Sequence, residues 1–311
     1  MSDPGSISVS MSSFTITPDG PFSLAAAAAF GFGPNTGRPA PAGGEMRLAF
    51  VTDDMRRHAA VHLAERRDGT ITAAIESDAD QDTLRRQVLR ILSLDHPGGP
   101  WVAIGERDPV IGALQRAHDW LRPVLFHSPY EAAAWSIISA RRYRAQATAV
   151  RARICAELGA TPRVAGEEVP AFPLPERLLT AQSLPGMAAN RVAWLRTVAQ
   201  AALDGQLDPA RLAAMAPDEA LAELRKLPGI GPMYATLILL RATGVADVLT
   251  FAEPRLPGYM GHFYGPHYVD APTAASREEM ERVAEGWRPY RTWAAVLIRA
   301  AGDREGLPLA A

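Results

Sequence analysis

A short glycine turn, and one carboxylate that follows it, are the features of this chain best suited to chemistry. The turn, Leu-Pro-Gly-Ile-Gly over residues 227–231, separates an acidic stretch (218–226) from a very apolar one (233–241). If both stretches are helices, the turn places backbone N–H groups at a helix N-terminus, which binds an anion without any side chain. Its glycines permit positive φ and let a phosphate approach the backbone. Glu253 follows at a short distance, and this arrangement indicates chemistry on DNA.

The N-terminal third of the chain is predicted to form a small antiparallel sheet with helices on one face. Runs typical of strands cover residues 7–17, 46–52, 60–64 and 70–76, and Arg67-Asp68-Gly69 is a good hairpin turn. Residues 80–94 carry apolar side chains at helical spacing.

The pattern from Asp108 onward is helical. Ser128 and Glu131 form a capping-box signature at the start of one helix, and residues 164–174 are predicted to be a loop. The helices are expected at residues 109–121, 132–139, 145–158, 175–180, 188–202, 209–215, 218–226, 233–241, 277–286 and 290–301. So large a helical region predicts two helical subdomains around a cleft. The expected fold class is α+β, with a sheet domain over residues 1–105, a helical region over 106–311 and the hairpin at 227–232.

Composition narrows the chemistry further. The formal net charge is −2, so bulk charge does not indicate a nucleic-acid binder. Cys155 is the only cysteine, which excludes a disulfide, a thiolate zinc site or a cysteine-ligated cluster within one chain. No apolar run approaches membrane-spanning length, and residues 24–29 are too short for a signal peptide, so a cytoplasmic protein without a membrane partner is expected.

The hairpin with Ala235, and the segment Trp-Arg-Pro-Tyr-Arg over residues 287–291, resemble the DNA-3-methyladenine glycosylase II family of the helix-hairpin-helix superfamily. Residues 128–138 and 184–195 match this family more loosely, and the N-terminal sheet is similar to the extra domain of its longer bacterial members. The resemblance implies a monomer that binds double-stranded DNA carrying a damaged base. It also implies excision of an alkylated base of the 3-methyladenine type by base flipping.

The resemblance places the family's catalytic aspartate on Glu253, whose tether is one methylene longer. The implied role is electrostatic support of an oxocarbenium-like sugar as the base leaves. The alternative is a helix N-terminal residue favoured by the macrodipole. Asp247, the nearest other carboxylate, is expected to cap or support a loop.

Lysine use bears on the type of glycosylase. Bifunctional relatives place a Schiff-base lysine in the second helix of the hairpin, where this chain has Met233. Lys226 is the only lysine and precedes the hairpin. These positions predict a monofunctional enzyme with water as nucleophile and no lyase step.

The resemblance also implies how DNA is held. The expected DNA contacts are Leu227, Gly229, Ile230, Gly231, Met233, Arg141 and Arg142. Arg141 would fill the gap left by a flipped base, bind phosphate, or simply be solvated, and Arg144, Arg151, Arg288 and Arg291 could add local positive charge. No cofactor is expected beyond a monovalent cation at the carbonyls of Leu227 and Ile230.

A base pocket is expected from Trp135, Tyr234, Tyr290 and Arg299, although each aromatic residue taken singly could belong to the core. Arg299 stands where the family often has tryptophan, and losing that wall would weaken a preference for cationic alkylated purines.

Other features favour structural interpretations or leave alternatives. Residues 259–268, with His262 and His267, are predicted to be a structural loop and not a metal site, and residues 184–187 to be an ordinary helix start that only echoes the hairpin. The changes at Ala140, Arg141, Glu253 and Arg299 keep open a DNA-binding protein that senses or shields lesions without excision. A protein-interaction module with a purely structural hairpin is a third possibility.

Overall fold

The N-terminal part of the protein is a four-stranded antiparallel sheet covered by two helices. A computed structural model describes residues 11–30, 44–268 and 275–307. The elements in chain order are β1 (Met11–Ile16), α1 (Leu24–Ala29), β2 (Glu45–Val51), β3 (His58–Glu65), β4 (Ile71–Glu76) and α2 (Gln81–Ile91). The strand order is β1-β4-β3-β2, with antiparallel pairs throughout. The predicted first strand is found from Met11, and residues 7–10 lie outside the described part.

The rest of the described chain is mostly helical, which confirms the α+β class. Its elements are α3 (Gly99–Arg107), α4 (Pro109–Ala117), α5 (Pro129–Ser139), α6 (Arg144–Leu158), β5 (Arg163–Val164), β6 (Glu167–Glu168), α7 (Pro175–Leu179), α8 (Ala189–Leu203), α9 (Pro209–Ala214), α10 (Pro217–Leu224), α11 (Pro232–Ala242), α12 (Leu256–Tyr268), α13 (Arg277–Glu285) and α14 (Arg291–Arg304). Among the described helices, none is long and apolar enough to span a bilayer.

Hydrophobic packing divides the molecule into three main cores. The sheet packs on α1 and α2 through residues such as Phe50 and Leu84. Helices α5 to α11 bury a second core. A third is built from α3, α4, α12, α13 and α14, with Trp101 and Trp287 fully buried. Helix α3 therefore spans the expected boundary at residues 105/106 and packs with the helical part.

Two segments predicted to be loops contain regular structure. Residues 259–268 lie in α12, where Leu256, Tyr259, Met260 and Tyr264 are buried at helical spacing. The glycines and prolines of this segment disfavour a helix, and the gain from burying its apolar face outweighs that preference. Within residues 164–174, Val164 pairs with Glu167 in the small β5–β6 ladder.

A buried charge cluster joins the sheet to the helical region. Ser128 caps α5 by accepting from the Glu131 N–H, but the Glu131 side chain does not return to the cap as the capping-box signature predicted. It turns inward, where Arg151 Nη2 donates to Oε2 at 3.0 Å and Val51 N–H donates to Oε1 at 3.3 Å. Burial alone would raise the pKa of Glu131, but His127 and Arg151 outweigh it and lower the pKa to about 2.

A second polar link reaches the hairpin helix. Arg90 of α2 donates to the carbonyl of Ala242, at the end of α11, at 2.5 Å and to the carbonyl of His127 at 2.9 Å. It also pairs with Asp53 at 2.7 Å. The C-terminus of α11 is therefore held by the sheet domain.

Candidate active site

The glycine turn lies between α10 and α11 as a tight hairpin. Ile230 N–H donates to the Leu227 carbonyl at 3.1 Å, and Gly229 has φ of +81°. Pro232 occupies the first turn of α11, where its missing N–H costs no helical hydrogen bond. Gly231, Pro232 and Met233 are exposed, so the N-terminus of α11 faces solvent.

The two glycines of the hairpin have different structural reasons. A Cβ on Gly229 would lie 2.7 Å from Cε3 of Trp194, in addition to the positive φ. Gly231 has an ordinary φ of −83°, and a Cβ there would meet nothing within 4 Å. Gly229 is therefore required by the fold, whereas Gly231 leaves open space at the surface that an approaching phosphate would use.

The sequence echo at residues 184–187 has the same turn geometry as the hairpin. Met187 N–H donates to the Leu184 carbonyl at 3.1 Å, and Gly186 has φ of +70°. Ala188, the N-cap of α8, makes no side-chain cap. The echo is therefore closer to the hairpin than the ordinary capped helix start that was expected.

The segment that leads from α11 to Glu253 is fastened to α14. The Thr292 hydroxyl accepts from Val248 N–H at 3.0 Å and donates to the Val248 carbonyl at 2.9 Å. Arg288 and Arg291 both pair with Asp247 at 2.9 and 2.8 Å. Asp247 thus supports the loop, the role expected for it, and these two arginines have carboxylate partners.

Glu253 belongs to a closed ring of alternating charges. Arg255 Nε lies 3.2 Å from Glu253 Oε1, and Arg299 Nε lies 3.3 Å from Glu253 Oε2. Asp303 closes the ring, with Oδ1 at 2.9 Å from Arg255 Nη1 and Oδ2 at 3.1 Å from Arg299 Nη2. The Tyr259 hydroxyl donates to Asp303 Oδ1 at 3.0 Å. Both carboxylate oxygens of Glu253 are therefore held in place by guanidinium groups.

The pKa values of the neighbouring groups reflect this charge pattern. Burial lowers the pKa of Arg255, but the carboxylates of Glu253 and Asp303 outweigh it and raise the pKa above its ordinary value. Burial, then the hydrogen bond to Asp303, raises the pKa of Tyr259. Burial, then the charge of Arg299, holds the pKa of Arg241 well below its ordinary value.

The Glu253 carboxylate lines a cavity of about 260 Å³ between α11 and α14. Its size is close to the lower end of ligand pockets, roughly 300 Å³. The walls are Met233, Thr236, Leu237, Leu240, Arg241, Thr250, Ala252, Glu253, Pro254, Arg255, Leu256, Thr292, Ala295, Val296 and Arg299. None of these described residues is aromatic. The cavity therefore combines an apolar wall with one carboxylate and three guanidinium groups.

Of the expected base-pocket residues, the structure brings only Arg299 to this cavity. Trp135 and Tyr234 pack in or against the core of α5 to α11. Tyr290 is buried in the third core, stacks on Trp293 at 4.3 Å and donates to the Pro97 carbonyl at 2.6 Å. These aromatic residues serve packing in the observed arrangement.

The two arginines expected to contact DNA, Arg141 and Arg142, lie in the joint between α5 and α6 but have different environments. Arg141 is exposed and has φ of +55°, unusual for a residue with a Cβ. Arg142 donates to the carbonyls of Ile138 at 2.6 Å and Gly186 at 2.8 Å, so it fastens the end of α5 to the 184–187 turn. Tyr143 beside them is 82% exposed, a feature the sequence did not single out.

Other residues singled out in the sequence lie elsewhere. Arg151 is buried in an ion pair with Glu131, so it adds no positive charge to the surface. Lys226 is exposed and pairs with Glu223 at 2.5 Å, ahead of the hairpin. Cys155 is buried, and burial raises the pKa of its thiol. The described residues include no group of three or more metal-ligating side chains; the His267 side chain and Asp270 lie outside them.

Sequence reasoning missed Arg255, Tyr259 and Asp303, which complete the surroundings of Glu253. Two signals were present in the chain. Arg255 follows Glu253 by two residues, and Arg299 and Asp303 are spaced as an i,i+4 pair on the last helix.

No model of a known protein family matches the chain, and no curated protein sequence matches it significantly. Solved structures do match. A 3-methyladenine DNA glycosylase from Archaeoglobus fulgidus aligns with a TM-score of 0.74 and 20% identity, over 94% of this chain and 99% of that one.

Two further structures align less closely. An 8-oxoguanine glycosylase/lyase from Clostridium acetobutylicum bound to DNA gives a TM-score of 0.59 and 16% identity, over 81% of this chain and 86% of that one. A DNA-3-methyladenine glycosidase from Bacillus halodurans gives 0.53 and 19%, over 68% and 93%. The chain therefore has the fold of the helix-hairpin-helix DNA glycosylases.

Proposed function

We propose that this protein is a monofunctional DNA glycosylase that hydrolyses the N-glycosidic bond of an alkylated base in double-stranded DNA. One observation carries the proposal: the Glu253 carboxylate lines a cavity walled by the hairpin helix α11 and by α14. The cavity thus has the N-terminus of a helix, which can bind an anion, and a carboxylate among its walls. A glycosylase needs the first to hold a DNA strand and the second to act on one of its nucleotides.

The steps follow from this placement. Backbone N–H groups at the start of α11 bind a phosphate near the lesion. The damaged nucleotide leaves the stack, at a cost of a few kcal/mol that damage reduces, and its base enters the cavity. As the C–N bond to the base breaks, positive charge develops on the sugar, and the Glu253 carboxylate stabilises it. A water molecule then attacks the sugar carbon.

The charge ring supports this role for a glutamate. A flexible carboxylate contributes little to a transition state if it must first be ordered, whereas one held at both oxygens is preorganised. Arg255 and Arg299 supply that ordering: Oε1 accepts two hydrogen bonds from Arg255, and Oε2 faces Arg299 in an ion pair.

The decisive experiment is single-turnover base release from duplexes that each carry one defined lesion, with 3-methyladenine-type bases included. The wild-type protein is expected to release free base, and Glu253→Gln is expected to bind the same duplex with little change in Kd but to release no base. Unchanged release by Glu253→Gln would overturn the assignment.

The absence of a lyase step has its own test. Lys226 is the only lysine, and it is exposed and paired with Glu223. Borohydride trapping on the reaction product is expected to yield no protein–DNA adduct. An adduct that disappears in Lys226→Arg would contradict a monofunctional mechanism.

A lesion-binding protein without catalysis is the second candidate function. The observation that favours it is the pairing of both Glu253 oxygens with arginines, which would also suit a purely structural carboxylate. Specific binding to a lesion duplex without release of any base, in the same panel, would select this function.

The remaining proposals concern assembly and ions. We propose a monomer with no cofactor other than a monovalent cation at the hairpin. The Leu227 carbonyl accepts one hydrogen bond, from Ile230, and keeps a lone pair that suits a cation shared with the Ile230 carbonyl.

A further inference from the structure

A second cavity adjoins the one that holds Glu253, and Arg299 belongs to the walls of both. It has a volume of about 600 Å³ and lies between α1, the end of α4, the start of α6 and α14. Its charged and polar walls are His118, Asp119, Arg144, Arg299, Asp303 and Arg304. Alanines of α1 form the opposite side.

The basic residues of this second cavity differ in how they are compensated. Arg299 is paired with Glu253 and Asp303. Arg144 and Arg304 form no ion pair within the described residues. Asp303 is already shared between Arg255 and Arg299, so it is a poor partner for Arg144 or Arg304.

The remaining groups do not remove this positive charge. Burial, then the charge of Arg304, lowers the pKa of His118, so this imidazole is neutral at pH 7. Asp119 is exposed and forms no ion pair in the described part of the chain. It offsets one of the two uncompensated arginines, so the second cavity keeps excess positive charge.

Arg144 is the residue best placed to use that charge. It begins α6, directly after the exposed Tyr143 and close to the joint that carries Arg141. Arg144 is exposed and lines the second cavity beside Arg299 and Arg304. Partial desolvation lowers its pKa, the charges of Arg299 and Arg255 lower it further, and the charge of Asp303 opposes them. A guanidinium in such surroundings gains most from an added anion, and guanidinium groups bind phosphate with two parallel hydrogen bonds.

We propose that the second cavity is a phosphate-binding subsite in which Arg144, assisted by Arg304, holds a DNA backbone phosphate next to the extruded nucleotide. The inference rests on the proposed function for the identity of the ligand. The shared wall at Arg299 puts this phosphate one side chain away from the cavity that receives the base. It would therefore be gripped from the side of the pocket opposite the hairpin.

The test pairs a protein change with a DNA change. Duplexes with a tetrahydrofuran abasic-site analogue carry one uncharged methylphosphonate at a time along the strand, and Kd is measured for the wild type, Arg144→Gln and Arg304→Gln. Arg67→Gln, which removes an exposed charge from the β3–β4 turn, is the matched control and should bind as the wild type does.

On the unmodified duplex, Arg144→Gln should lose about tenfold in affinity, as expected for one charged hydrogen-bonded contact. One methylphosphonate position should weaken the wild type by a similar factor and weaken Arg144→Gln no further. The slope of log K against log salt should fall by about 0.9 in this variant.

The outcomes separate this inference from the proposed function. The subsite would be overturned if the affinity losses from Arg144→Gln and from the methylphosphonate were additive at every phosphate position. An unchanged Kd for Arg144→Gln would overturn it as well. Competition by inorganic phosphate at millimolar concentration without any phosphate-position effect would also overturn it, because the cavity would then bind free anions and not DNA. Binding with the expected coupling but no base release would sustain the subsite and contradict only the glycosylase activity.

Discussion

Arg299 Nε lies 3.3 Å from Oε2 of Glu253. The residue that stands where the family resembled by the sequence often has tryptophan thus forms an ion pair with the carboxylate proposed to act on the sugar. The two departures from the pattern of the family that the sequence resembles are thus one arrangement. Glu253 and Arg299 form an ion pair here, whereas aspartate and tryptophan at the same two positions could not form one.

Shortening the carboxylate is expected to impair this protein, although the family that the sequence resembles has aspartate at this position. Glu253→Asp withdraws the oxygens by about one methylene from Arg255 and Arg299, so the group is no longer held by either. Base release should fall by about 10- to 100-fold, with little change in Kd for the duplex. Equal or faster single-turnover release by Glu253→Asp would show that the ring does not position the carboxylate.

Removing the positive wall is expected to change the preference for the charge of the base. The guanidinium of Arg299 disfavours a cationic base in the cavity, and Arg299→Leu removes it. The ratio of release of 7-methylguanine, a cation, to that of 1,N6-ethenoadenine, which is uncharged, should rise several-fold over the wild-type ratio. A ratio that stays constant while both rates fall would assign Arg299 to Glu253 positioning alone.

The two hairpin glycines should separate stability from DNA binding. Gly229→Ala combines a positive φ with a contact 2.7 Å from Trp194 Cε3 and should cost about 1–3 kcal/mol of unfolding free energy. Gly231→Ala meets nothing and should stay within about 0.5 kcal/mol of the wild type, yet weaken DNA binding by placing a methyl group where the phosphate approaches. Urea unfolding and Kd measured on both variants provide the check, and similar stability losses in the two would contradict it.

The buried Glu131 should make stability depend on pH in the acid range. Its pKa of about 2 in the folded protein lies below the ordinary value of 4.5, so its contribution is complete above pH 4.5 and is lost as the pH falls towards 2. This difference corresponds to on the order of 3 kcal/mol. The gap in unfolding free energy between wild type and Glu131→Gln should therefore be large at pH 7 and shrink at pH 3.

A gap of constant size at the two pH values would show that Glu131 acts through shape alone. Glu45→Gln, at a partly exposed site on β2, is a suitable control because its ion pairs are accessible to water.

Much of the fold could be predicted from local pattern, and the failures have physical causes. The strands β2 to β4 and the helices on both sides of the hairpin follow from alternation, helical spacing and glycine turns. Helix α12 could not be predicted in this way, because its glycines and prolines argue against a helix and only the tertiary burial of Tyr259 and Tyr264 reveals it.

For the site, the hairpin and Glu253 were visible as a motif, whereas the ring was not. Asp303 lies far from Glu253 in sequence and joins the ring only because α14 packs against α12, which brings Asp303 to Arg255. The aromatic residues expected in the pocket illustrate the converse. Tyr290 has a suitable side chain, but its stacking on Trp293 in a buried core could be known only from the packing.

The bond from Arg90 to the Ala242 carbonyl has a consequence for how the protein can be divided. Helix α11, whose first turn is proposed to bind DNA, has its last turn completed by a side chain of the sheet domain. Cutting the chain near residue 105 would strip α11 of that cap, because Arg90 would stay with its partner Asp53 in the N-terminal fragment. The sheet domain is thus part of what holds the hairpin helix in place. A truncated helical region would lack this support and would not be a minimal version of the protein.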